Sequence, residues 1–177
     1  MIWESKYWKA DLLKQAAELR RRTTQRRWPE ASNARCEQAV MLGFYSIRKL
    51  MDSGKLTDAV ANSTVSAKSI PCKVPVVHLL NAHRVDELYD WERPKRQPLR
   101  LRFLCNQVIH SYVFFLIFDD EHRLSGFGVS SDKDRCQRAI TVPVAEVIRL
   151  FIQVGHDHIA SARYRFDESK GDYTVLR

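Results

Sequence analysis

Arg102, Asn106 and His110 stand four residues apart. On an α-helix four residues make slightly more than one turn, so each lies about 40° around the axis from the one before. The three would form a single polar ridge joining a cation, an amide and an imidazole. An imidazole of ordinary pKa about 6.5 exchanges a proton near neutrality, and a guanidinium grips a phosphate through a two-point fork. The set suits phosphodiester cleavage without a metal. His110 would act as general acid or base at the ribose 2′-hydroxyl or the leaving oxygen, Arg102 would stabilise charge on the phosphate, and Asn106 would orient either group. The structural alternative is that His110 only hydrogen-bonds a backbone carbonyl from a helix end.

The stretch Cys105-Asn106-Gln107-Val108-Ile109-His110-Ser111-Tyr112 resembles the signature of the HEPN superfamily. Those helical-bundle ribonucleases carry Arg, usually a following polar residue such as Asn, then His, often with Tyr two residues later. Asn106, His110 and Tyr112 fall in register, and apolar Val108 and Ile109 stand where the family commonly has them. The resemblance implies an RNA-directed protein that cleaves RNA without metal or cofactor. It further implies catalytic groups meeting across a homodimer, Tyr112 as a supporting hydroxyl, and a bacterial defence or toxin-antitoxin setting with a cognate protein partner. Where the family places its Arg, this chain has Cys105, which periodicity assigns to an apolar face as a core thiol. Either Arg102, one turn earlier, takes the cationic role or the catalytic step is absent. The β-rich residues 113–142 lie outside the family's minimal bundle and would be an elaboration.

The elements that must position this ridge are legible in the apolar spacing. Trp8, Leu12, Ala16 and Leu19 recur at three and four, which predicts a helix from Glu4 to about Arg27. Trp28-Pro29 breaks it, and Val40, Phe44, Ile47 and Met51 predict a second helix to about Asp52, stopped by Gly54. The two are expected to pair as an antiparallel hairpin. Residues 55–82 are mixed, with Val74–Val77 as a short edge strand. Asn81 is placed to cap a short helix reaching Tyr89. Pro98 is expected to open the motif helix, Leu99 to about Tyr112. Val113–Phe118 and Leu124–Val129 read as a β-hairpin around Asp119-Asp120-Glu121-His122, with Ala139–Val142 as a third strand. Pro143 opens a last helix with Val144, Val147, Ile148, Phe151 and Ile152 at helical spacing, ended by Gly155, and residues 163–177 form a hairpin or a frayed end. The fold class is therefore α+β: an N-terminal helical hairpin and motif helix, a small antiparallel sheet, and a C-terminal helix, in one domain spanning 1–177.

Composition agrees. The chain has 177 residues, 45% of them hydrophobic, with 6 Gly and 6 Pro, which excludes disorder and low-complexity repeats. The longest apolar run, Val108–Phe118, is interrupted by His110 and falls short of a membrane span, and no export signal opens the chain, so a cytoplasmic protein is expected. Cys36, Cys72, Cys105 and Cys136 form no metal-spaced pair and are expected as free thiols. Net charge is +8, of which +6 falls in residues 1–50. Arg20, Arg21, Arg22, Arg26 and Arg27 crowd the end of the first helix, where they complement the helix dipole and could also steer RNA.

Weaker candidates are Asp119–His122, expected as a solvated turn, and His156 and His158, which flank Asp157 without a third metal ligand. Trp8 and Trp28 fit the core and a helix junction. Two further functions compete with the enzyme: a binding module for nucleic acid or an acidic partner without catalysis, and a structural subunit of a larger assembly.

Overall fold

A computed structural model describes residues 2–169 and 171–176. In chain order the elements are α1 (Ser5–Arg22), α2 (Glu30–Asp52), short α3 (Asp58–Ala61), β1 (Thr64–Pro71), short α4 (Val85–Leu88), β2 (Lys95–Arg100), α5 (Leu101–Ile109), β3 (Ser111–Phe118), β4 (Leu124–Ser131), β5 (Arg138–Pro143), α6 (Val144–Gly155), β6 (Arg163–Asp167) and β7 (Asp172–Leu176). The class is α+β. The first five strands form an antiparallel sheet in the order β2-β1-β5-β4-β3, and β6 and β7 pair separately as a hairpin.

The sheet is two-faced because its strands alternate. Val65 and Ala67 of β1, Phe114 and Leu116 of β3, Phe127 and Val129 of β4, and Ile140 and Val142 of β5 join the larger core, under α2, α5 and α6. On the opposite face Ile70, Val113 and Ala139 meet Val77, Leu88 and Tyr89 from the segment before β2. α1 lies outside, packed on α2 and α6. Its buried positions Leu12, Ala16 and Leu19 follow the three-and-four spacing that predicted it.

Glycine decides how closely α2 and α6 approach. A Cβ built on Gly43 would stand 2.2 Å from the Phe151 ring, so only a residue without a side chain lets that ring lie against α2. Next to it, Phe44 meets Phe151 at 5.6 Å and Phe127 of β4 at 5.8 Å between ring centroids. α2 ends at a Schellman cap. Gly54 takes φ 63°, its N–H donates to Met51 O, and the Lys55 N–H donates to Leu50 O.

Several boundaries depart from the sequence reading. α1 stops at Arg22, where the Thr23 N–H and hydroxyl both donate to Arg20 O. Val74–Val77 is in no strand; the polar-looking stretch 64–71 is β1, whose alternation of Val65 and Ala67 with Ser66 and Lys68 gives one buried and one wet face. Asn81 does not cap a helix but ties the turn at 76–82, accepting from His78 N and donating to Val76 O. Pro98 sits inside β2, not at a helix start, which an edge strand allows because its missing N–H can face away from the ladder. The motif helix is consequently shorter, Leu101–Ile109, with His110 as its C-cap and Tyr112 in β3. Pro143 precedes α6 as its N-cap.

Gly43→Ala is expected to destabilise the protein by about 1–3 kcal/mol through overpacking against Phe151. Urea unfolding checks this, as a lower midpoint at unchanged m-value.

Candidate functional site

α5 buries Leu101, Leu104, Cys105 and Val108 and leaves Arg102, Asn106 and His110 on its outer side. Both ends of the helix are tied to other elements. The Leu101 N–H donates to Ser63 O, and the Asp132 N–H donates to His110 O at 3.1 Å. Buried Gln107 accepts from Ser131 N. The bonds to Ser131 and Asp132 hold α5 against the end of β4 and the loop that follows it, where a cleft of about 520 Å³ is lined by Phe103, Asn106, Gln107, His110 and residues 131–134. The His110 side chain is exposed at this cleft, whose lining also includes Lys133 between Asp132 and Asp134.

The cationic part of the site comes from two helices. Arg48 of α2 donates to Asn106 Oδ1 through Nη1 and to Asp52 Oδ2 through Nε at 2.8 Å. Arg102 donates to the other Asp52 oxygen, also at 2.8 Å. One carboxylate therefore holds two guanidinium groups, and one of these reaches the amide a turn before His110. Partial burial pushes the Asp52 carboxyl up, but the hydrogen bonds and charges of Arg48 and Arg102 outweigh it and hold it below the usual carboxylate range. Cys105 lies beneath, fully buried, and burial pushes its thiol up to about 12. It is a packing residue and no nucleophile at neutral pH.

The other expected residues are dispersed. Tyr112 is not in the cleft; it packs on the opposite face of the sheet with the Arg135 guanidinium 3.9 Å from its ring centre. A shift of register between Ser111 and Val113 accompanies this turn of the chain. Of the basic run, Arg22 is buried and bonded to Glu18 and Ser32, Arg21 pairs with Glu18, and Arg26 pairs with Glu121 at 2.6 Å. Arg20 and Arg27 are exposed. Arg26 and Trp28 together clasp the β3–β4 turn, Trp28 donating to His122 O at 2.7 Å and stacking edge-on against Phe118.

Arg48 is the functional candidate that sequence spacing missed. Its pairing with Asp52 at i,i+4 was readable, but that pairing alone describes an ordinary solvated helix pair. Asp157, between His156 and His158, is engaged within the fold: its carboxylate accepts from Thr57 N and Thr57 Oγ1, at 2.8 and 2.7 Å, and its carbonyl from buried Lys9. Among the described residues no group of three or more His, Cys, Asp or Glu is placed to hold a metal, and no helix is long and apolar enough to cross a membrane. Compared with known protein families, curated proteins and solved structures, the chain has no match.

Asp52 gives a pH prediction. Its folded pKa is lowered, so its contribution is complete above the ordinary carboxylate value of about 3.9 and is lost as pH falls through the folded value. Asp52→Asn is expected to cost about 1 kcal/mol at pH 7, these pairs being partly exposed. In parallel urea titrations the gap between variant and parent narrows on acidification below the ordinary carboxylate range.

Proposed function

We propose that the protein is RNA-directed and cleaves phosphodiester bonds without a metal at the α5 cleft, in the manner of the HEPN ribonucleases its motif resembles. The observation that carries this reading is the contact of Arg48 with Asn106, which puts a guanidinium beside the amide one turn from an exposed His110. Arg48 thereby occupies the role left open by Cys105. Arg102 joins it through their common carboxylate Asp52.

The chemistry is a transesterification. His110 takes the proton of the ribose 2′-hydroxyl as that oxygen attacks phosphorus, the bond to the 5′-oxygen breaks, and that oxygen leaves with a proton from water or from the same imidazole. Arg48 and Arg102 stabilise the charge that builds on the phosphate oxygens, and Asn106 orients the reacting group. Asp52 keeps both guanidinium groups in place before substrate arrives, which lowers the cost of organising them.

A second reading, binding without catalysis, is favoured by the same carboxylate, since donors engaged with Asp52 are not free for a phosphate.

The decisive experiment is an RNA cleavage assay in excess EDTA, with analysis of the new ends. The parent chain is expected to leave 2′,3′-cyclic phosphate ends. His110→Ala should lose about 100-fold or more in rate, and Arg48→Ala a comparable factor. Intact RNA with all forms, alongside salt-sensitive RNA binding by the parent, would replace the enzyme with the binding module.

A further inference from the structure

Cations without an acidic partner gather at the outer edge of the sheet. β1 and β2 carry Lys68, Lys95, Arg96 and Arg100 and no acidic residue. All four are exposed, and among the described residues none has an ion pair. The register sets Lys68 directly opposite Arg96, and Thr64 opposite Arg100. Because Val65, Ala67 and Leu99 turn into the helical core, alternation puts Lys68, Arg96 and Arg100 together on the open face. A cleft of about 440 Å³ is lined by Lys68 and Arg96 and bordered by Ser66, Pro98 and Pro143.

This arrangement is unfavourable in the free protein. Like charges directly across an antiparallel pair repel, and here no carboxylate relieves them. An anionic ligand would. Arg96 and Arg100 stand about 13 Å apart along the strand, the scale of a polyanion and not of a single phosphate. The face also lacks what a protein interface uses, for neither β1 nor β2 contains an aromatic residue. By contrast, the basic run at the end of α1 is largely engaged with Glu18 and Glu121.

We propose that the open face of β1 and β2 binds the phosphate backbone of single-stranded RNA, held by Lys68, Arg96 and Arg100. The proposal rests on the RNA-directed reading above and adds where the strand is held, by charge and without base stacking. Binding there is consequently indifferent to base sequence.

The test is fluorescence anisotropy with 5′-labelled 20-nucleotide poly(U) and poly(A) RNA, using the full chain carrying His110→Ala so that the probe stays intact. Lys68→Glu with Arg96→Glu is expected to weaken binding about 10-fold or more at low salt. It should also flatten the dependence of log K on log salt by about 1.4, two single-strand phosphate contacts. Poly(U) and poly(A) should bind within about 3-fold of each other. Lys68→Glu alone creates an opposite-charge pair with Arg96, so its melting temperature is expected to hold or rise while its affinity falls, which separates lost binding from lost fold. The proposal is overturned by equal affinity of the double variant and its parent, by absence of RNA binding at low salt, or by a larger loss from Arg20→Glu with Arg27→Glu. It is also overturned if phosphatidylserine vesicles, and not RNA, are retained through Lys68 and Arg96. Failure here with cleavage intact leaves the α5 cleft as the active site; sheet-dependent binding by a chain that never cleaves removes the catalytic reading and keeps this one.

Discussion

The close approach of α2 to α6 at Gly43 is the constraint on which the arrangement of the site depends. Without a Cβ at that position the tip of the Phe151 ring abuts α2, and Phe44 then bridges to Phe127 of β4 in the sheet. Burying an aromatic ring of this kind contributes about 2–3 kcal/mol, and edge-to-face contacts add to it. The same packing orients the last two turns of α2. Arg48 and Asp52 follow Phe44 by four and eight residues, so they project from the side of the helix that borders α5.

Electrostatics are distributed unevenly over this frame. The sequence concentrates its positive charge in the first third, yet three of the five arginines there are paired, Arg21 and Arg22 with Glu18 one turn earlier on α1 and Arg26 with Glu121 of the β3–β4 turn. Those arginines act as clasps: Arg22 joins α1 to Ser32 of α2, and Arg26 joins the α1–α2 connection to the β3–β4 turn. Among the described residues Arg20 and Arg27 remain exposed without an ion pair, and four further cations without one, Lys68, Lys95, Arg96 and Arg100, lie together on β1 and β2, where charge counting along the chain shows only a modest surplus. Charge density along the chain is therefore a poor guide to where unpaired cations stand together on the surface.

Much of the helical structure was legible because it depends on local rules. Leu12, Ala16 and Leu19 predicted the buried stripe of α1, and Val144, Val147, Ile148 and Phe151 that of α6. Gly54 marked the end of α2 through its positive φ. β1 was not legible: its Ser, Thr and Lys left residues 55–82 mixed, because only every second residue needs to be apolar when one face is wet, and its partners are Lys95–Arg100 and Arg138–Thr141, distant in sequence. Pro98 misled for a related reason. Whether a proline opens a helix or closes an edge strand depends on which side of the ladder it occupies, and only pairing decides that.

For the site, the sequence by itself determined the residue types and the i,i+4 spacing of Arg102, Asn106 and His110, because helical geometry links residues one turn apart without outside help. It also determined that Cys105 is a core thiol, since periodicity puts it on the apolar side. Tertiary structure alone decided that α5 ends at His110, that Tyr112 crosses to the other face of the sheet, and that Arg48 arrives from a helix 58 residues earlier to contact Asn106. It alone decided, too, that Arg26 is paired with Glu121, 95 residues away, whereas Arg21 and Arg22 meet Glu18 within their own helix. Such contacts arise from how buried surfaces pack, Phe151 on Gly43 above all, and packing is a property of the assembled elements that spacing along one of them does not encode.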